Sequence, residues 1–196
     1  MVHQYQREDK WNIIADLIID SGRRLEKAGV EALMFCANTP HKTFEMVESQ
    51  LNIPILHIAD ATSKEIKKQK VNKVCFLGIK FSMQEDFVTG RIETHGIEVL
   101  TPADKEAIIE LHRIIQEELT FGKIIPSSKL FILETIKTMT NQGAEGVILG
   151  CTEFPLMINE TDLSIPIFNT TYIHAKAATQ FILSDDSIHL SIGFGK

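Results

Sequence analysis

The sequence has no apolar run approaching the roughly 20 residues that cross a bilayer. Its opening, Met-Val-His-Gln-Tyr-Gln-Arg-Glu-Asp-Lys, has none of the apolar core of a secretory signal. Positive charge is not in excess either: 20 Lys and Arg stand against 26 Asp and Glu, a net charge of −6. That excludes the basic surface that grips nucleic acid and the polybasic patch that holds a protein to a membrane. Cysteine is scarce, with three in 196 residues. Without a secretory signal, three do not make a disulfide framework, so reduced thiols in a cytoplasm are expected. In that setting the Asn-x-Thr triplets at Asn159 and Asn169 carry no glycosylation meaning. No segment is of low complexity. What is present is a chain of 196 residues with 44% hydrophobic content, enough for one large domain or two small ones with an unstapled core.

Hydrophobic periodicity predicts a helix over 8–28, with Trp11, Ile14, Ile18, Leu25 and Ala28 on one face, a seven-residue gap across Gly22, and Gly29 as the stop. Ala32-Leu33-Met34-Phe35 is a short apolar run suited to a buried parallel strand. Asn38-Thr39-Pro40 is a helix-start signal. Further strands are expected at 53–58, 73–78, 97–100, 146–150 and 165–168. Helices are expected at 60–70, 104–119 and 127–140, with Gly143 as a stop, and from a cap at Thr171 to about Leu183. Alternating strands and helices mean an α/β fold with parallel sheets flanked by helices. The tail from Ser184 onward is polar and glycine-bearing, and it is expected to be loosely held.

The chain echoes itself. Gly29-Val30-Glu31 is followed by four residues and Cys36; Gly143-Ala144-Glu145 is followed by five and Cys151. Downstream stand Ile53-Pro54-Ile55-Leu56-His57 and Ile165-Pro166-Ile167-Phe168-Asn169. A period of about 115 residues is too long for a solenoid and suits two similar lobes.

Both cysteines fall beyond the carboxyl ends of strands, where α/β sheets hold ligands. Each precedes a helix start, whose N–H groups and dipole should lower a thiol pKa from about 8.5 toward neutrality. Two such thiols across a cleft could remove a proton from one face of a carbon and return one to the other, inverting a stereocentre. The carbanion-like intermediate needs donors for its carboxylate, and Asn38, Thr39 and Thr152 are candidates. A single cysteine at a strand end is more often a small buried hydrophobe, and Cys75, inside Val74-Cys75-Phe76-Leu77, reads that way. Cys36, His41, Cys151 and His174 match no standard zinc spacing, so no metal site is expected.

Cys36-Ala37-Asn38-Thr39-Pro40-His41 and Gly150-Cys151-Thr152-Glu153-Phe154-Pro155 together resemble the aspartate/glutamate racemase family. Leu56-His57-Ile58-Ala59-Asp60-Ala61-Thr62 and Gly143-Ala144-Glu145-Gly146-Val147-Ile148-Leu149 are similar to the same family, and the likeness runs from about Gln6 to Leu183. The resemblance implies two pseudo-symmetric α/β lobes with the active site between them: residues 1–60 with 168–196, and residues 61–167. It implies an enzyme that needs no pyridoxal phosphate or other cofactor, acts on a small, acidic amino acid, and forms a homodimer. Cys36 and Cys151 match the family's paired acid/base thiols. Asn38, Thr39 and Thr152 match positions that bind the α-carboxylate; Ser82, Lys123 and Gln6 are similar to further substrate contacts. Glu153 stands where cell-wall glutamate racemases usually carry His, which favours the aspartate-racemase-like branch.

One departure bears on function. The family opens with a strand, a Gly-Gly-Met loop, a helix and a second strand, whereas this chain starts just before the helix at Trp11. Roughly 40–50 residues are expected to be absent from the first lobe, by the usual lengths of such elements, and sheet edges to be exposed. The leading expectation is an aspartate or glutamate racemase. The alternatives are another enzyme of the superfamily, such as a hydantoin racemase, a decarboxylase or a maleate isomerase, and a catalytically impaired or amino-acid-binding remnant.

Overall fold

The computed structural model describes residues 2–184, so the expected loose tail lies, past Ser184, outside the described residues. Two parallel sheets form. Strands β1 (Leu33–Met34) and β2 (Ile55–Leu56) pair as a short two-stranded sheet. Strands β3 (Lys73–Leu77), β4 (Glu98–Leu100), β5 (Gly146–Leu149) and β6 (Ile167–Asn169) pair in the order β4-β3-β5-β6. The two central strands are apolar throughout Val74–Leu77 and Val147–Leu149, and those residues are buried, as strands covered on both faces must be.

Nine α-helices flank the sheets among the described residues: α1 (Val2–Arg7), α2 (Trp11–Lys27), α3 (Phe44–Glu48), α4 (Ile58–Lys68), α5 (Lys80–Gln84), α6 (Asp86–Thr94), α7 (Lys105–Arg113), α8 (Pro126–Asn141) and α9 (Thr170–Leu183). Helix α7 runs on through a π turn, Ile114–Glu118, and a 3-10 turn, Leu119–Phe121. One apolar core surrounds the four-stranded sheet, and a smaller one of Ala15, Phe35, Phe44, Val47 and Ile55 surrounds β1 and β2. Helices α4 and α9 pack together. Strand β6 hydrogen-bonds to β5 from Ile167 to Asn169, so a lobe division after residue 167 passes through it.

The echo is structural. Helices α2 and α8 both end on a left-handed glycine, Gly29 at φ 87° and Gly143 at φ 96°. Gly29 N–H donates to Glu26 and Val30 N–H to Leu25, while Gly143 N–H donates to Thr140 and Ala144 N–H to Met139. This is one and the same double closure of the last turn. Leu33 N–H donates to the Pro54 carbonyl and Val147 N–H to the Pro166 carbonyl, each at 2.9 Å. His57 caps α4 and Asn169 caps α9. Cys36 lies three residues past Leu33, the partner of Ile55, and Cys151 four past Val147, the partner of Ile167. The additional residue in the second unit is Gly150. A Cβ there would sit 2.2 Å from Phe76 Cζ and 2.8 Å from the Leu77 carbonyl oxygen.

Some expectations need correction. Leu25 is 46% exposed, and the buried face of α2 runs instead through Trp11, Ile14, Ala15 and Gly22. The gap at Gly22 is where Leu51 and Leu33 approach, 2.8 and 3.3 Å from where a Cβ would stand. Helix α9 is capped by Asn169, whose side chain accepts from Tyr172 N–H, and not by Thr171. Helices α1, α5 and α6 were not expected. In α6 Gly90 interrupts the apolar pattern, and Val88 and Ile92 alone are buried.

Candidate active site

The carboxyl ends of β1, β3 and β5 lead into Cys36, Asn38, Thr39, Ser82, Cys151 and Thr152, and that of β6 into Thr170. Cys36 lies just past β1, exposed to solvent. Thr39 opens a 3-10 turn, Thr39–Thr43, with Pro40 behind it. Asn38 precedes that turn, but its side chain makes no cap hydrogen bond. It is buried, and its Nδ2 donates to Thr170 Oγ1 at 3.1 Å. Thr170 in turn donates to the Leu149 carbonyl at 2.8 Å. Because the threonine proton is spent on Leu149, Thr170 accepts from the asparagine, and this fixes the amide orientation. Asn38 Oδ1 is left buried and without a partner among the described residues. The chain Asn38–Thr170–Leu149 ties the residue two past Cys36 to the residue two before Cys151.

Three buried imidazoles back the first loop. His41 Nδ1–H donates to the Ala37 and Asn38 carbonyls at 3.0 and 3.1 Å, and Nε2 accepts from Ile58 N–H at 3.2 Å. One ring thus pins the Cys36–Asn38 loop to the start of α4. His57 packs edge-on against His41, 4.4 Å between centroids, and His174 Nε2–H donates to the Leu56 carbonyl at 2.8 Å. Burial keeps all three neutral, aided by mutual repulsion at His41 and His57; it lowers His41 to about 4 and His57 to about 2, and His174 below its ordinary value. In the sequence His41 is simply the fifth residue past Cys36. Its spacing from Cys36 carries no sign that both ring nitrogens are used.

Cys151 is half-buried past β5, and its Sγ–H donates to Glu153 Oε2 at 2.8 Å. The lowered pKa expected of a thiol before a helix start is not found here. Burial, then the Glu153 hydrogen bond and charge, push this thiol upward; the backbone N–H groups of Thr152 and Glu153 pull the other way and are outweighed. The helix that follows is only the 3-10 turn Phe154–Leu156, too short to supply a strong dipole. Thr152 is exposed.

Ser82, on α5, is fully buried and donates to the Ile79 carbonyl at 3.0 Å. It crowds Gly78 at the end of β3, where a Cβ would meet Ser82 Oγ at 2.4 Å and the Gly150 carbonyl oxygen at 3.4 Å, so Ser82 stands close to the Cys151 loop. Lys123 is exposed, one past the left-handed Gly122, with Nζ 5.6 Å from the Phe121 ring centroid. Gln6 is half-buried in α1, and its carbonyl accepts from Asp9 N–H. The described contacts join Asn38, Ser82 and the two cysteine loops; they do not join Lys123 to them.

Cys75 is fully buried in β3, and burial pushes its thiol up to about 12. It has the packing role expected of it. Among the described residues no group of three or more His, Cys, Asp or Glu is arranged to hold a metal ion, and no helix is long and apolar enough to cross a membrane. A cleft of about 1400 Å³ opens beside α4, α6 and α9; His41 and His57 line it, and neither Cys36 nor Cys151 does. Its wall holds the two-pronged ion pair of Arg91 with Asp60, 2.8 Å on each arm, and His95 on the same carboxylate at 2.9 Å.

The family model described as Asp/Glu/Hydantoin racemase matches residues 2–178. A crystal structure of a candidate Asp/Glu racemase from Yersinia pestis is 41% identical, with a TM-score of 0.88, covering 93% of this chain and 80% of that one. The structure of an aspartate racemase homologue from Pyrococcus horikoshii is 40% identical, with a TM-score of 0.81, covering 90% of this chain and 77% of that one. The broad specificity amino-acid racemase RacX of Bacillus subtilis is 26% identical over 171 residues, 87% of this chain and 73% of the relative.

Proposed function

The chain belongs to the Asp/Glu/Hydantoin racemase family, and on that premise we propose that it racemises an acidic amino acid, aspartate or glutamate, by a two-base transfer between Cys36 and Cys151. In this reading one sulfur, as thiolate, takes the α-proton from one face of the substrate. The other, as thiol, gives its proton to the opposite face of the carbanion. The proton count of the thiol pair is unchanged, and the proton has moved from one sulfur to the other. No cofactor takes part; the α-carboxylate is assigned to Thr39, Thr152 and Asn38, the last through its backbone N–H or second Nδ2 proton because the first is held by Thr170, and these donors stabilise the charge that develops beside it. Ser82, Lys123 and Gln6 are assigned to the rest of the substrate, Lys123 as a point charge for a side-chain carboxylate.

One observation carries the reading: the Asn38–Thr170–Leu149 chain ties the two cysteine loops together at the carboxyl edge of the sheets. The echo supports it, since strand, cysteine and helix start recur with the same caps and the same proline carbonyl contacts. The kinship with a broad specificity relative leaves neighbouring amino acids inside the same proposal. The test is incubation with single enantiomers of aspartate, glutamate and a panel of other amino acids, read by chiral chromatography. Formation of the opposite enantiomer from an acidic substrate is expected. Inversion confined to non-acidic amino acids would overturn the substrate assignment, and no inversion of any would overturn the activity.

A further inference from the structure

The two cysteines occupy echoed places, yet their neighbours differ in charge. Two residues past Cys36 stands Asn38, a neutral amide turned away onto Thr170. Two residues past Cys151 stands Glu153, turned back onto the sulfur at 2.8 Å. Glu153 precedes the 3-10 turn Phe154–Leu156 but makes no side-chain cap bond to it. Among the described residues no Lys or Arg forms an ion pair with it, although twelve such pairs occur elsewhere. A half-buried carboxylate that neither caps a helix nor meets a cation forgoes the usual sources of stabilisation. The interaction it does make, with a thiol, is a weak one.

We propose that Glu153 is the positioning residue of Cys151: its carboxylate accepts the thiol hydrogen bond, so that Cys151 stands in the resting site as proton donor and Cys36 as proton acceptor. The assignment rests on the two-thiol reading above and sharpens it. A free enzyme so arranged is set for the enantiomer whose α-hydrogen faces Cys36. After that turnover Cys36 holds the proton and Cys151 is the thiolate. The reverse reaction, or proton exchange with solvent, restores the resting form. Facing Cys151 are its own loop's carboxylate, which disfavours the thiolate, and the N–H groups of Thr152 and Glu153, which favour it.

Alkylation by iodoacetamide, with each cysteine followed by mass spectrometry over pH 6–10, tests this without needing turnover. In Glu153→Gln the negative charge is gone, and Cys151 should alkylate roughly tenfold faster at a fixed pH, the equivalent of one pKa unit. Cys36 should keep its rate. Buried Cys75 is the internal folding control, since it labels only when the core opens. An unchanged Cys151 profile with Cys75 protected overturns the proposal. If Cys75 labels in Glu153→Gln, the Glu153→Asp variant decides: slow labelling of Cys151 supports the charge, and labelling as fast as in Glu153→Gln overturns it. A wild-type protein that fails to invert any amino acid would defeat the racemase reading and leave this thiol measurement standing.

Discussion

Cys36 is open to solvent, Cys151 is half-covered and faces a carboxylate, and Cys75 is sealed in a strand. Three thiols of one chain therefore have three chemistries. Cys36→Ala and Cys151→Ala should each abolish inversion while shifting the melting temperature little, because Cys36 is exposed and Cys151 only borders the core; chiral chromatography beside a thermal melt checks both. Cys75→Ala should keep the chemistry and lose about 1 kcal/mol to the small void it leaves, read by urea unfolding. His41 gives a pH prediction. Its pKa is about 4 in the folded chain against an ordinary imidazole value of 6.5, so below pH 6.5 the unfolded chain binds more protons. Stability from this group is complete above pH 6.5 and is lost as pH falls to 4, a total of about 3 kcal/mol. Melting temperature should fall through that window, and His41→Gln should flatten the fall; a wild-type curve flat from pH 7 to 4 would contradict it. The sequence shows where such thiols and imidazoles stand. It does not show that Glu153 turns toward Cys151, because that depends on a side-chain rotamer and on burial.

At the scale of the element, strands were legible because they are continuous apolar runs bounded by glycine and proline. Helices α2 and α8 were legible through their glycine stops. What was not legible is how elements meet. Gly22 reads as a hole in an apolar stripe, yet it is where Leu51 and Leu33 come close, and Leu25, which fits the stripe, faces solvent. Gly150 reads as a strand end, yet it is the one-residue difference between the two units, required by the Phe76 ring. Gly150→Ala should therefore cost about 1–3 kcal/mol through overpacking, measured by urea unfolding, and should displace the Cys151 loop. Thr170→Val keeps shape but strips the link between Asn38 and the Leu149 carbonyl. Leaving buried groups unpaired should cost about 1–3 kcal/mol. If the link also orders the site, kcat should fall more than the melting temperature alone explains.

For the whole molecule, the repeat was the most informative thing in the sequence. The alternation of strands and helices predicted parallel α/β sheets flanked by helices, and both sheets are parallel; the two repeated units carry matching caps at matching places. The match to the Asp/Glu/Hydantoin racemase family spans residues 2–178, a range that contains both cysteine segments. Long-range hydrogen bonds were beyond sequence reading: Asn38 and Thr170 stand 132 positions apart, and only the folded chain brings them to one bond. The central claim is that two thiols exchange the α-proton of an acidic amino acid. It is tested most directly by α-deuterium uptake from heavy water into single enantiomers of aspartate and glutamate, followed by proton NMR. The account predicts uptake with inversion in the wild-type protein and loss of inversion in both Cys36→Ala and Cys151→Ala. Undiminished inversion in either variant, or no uptake by the wild-type protein, would contradict it.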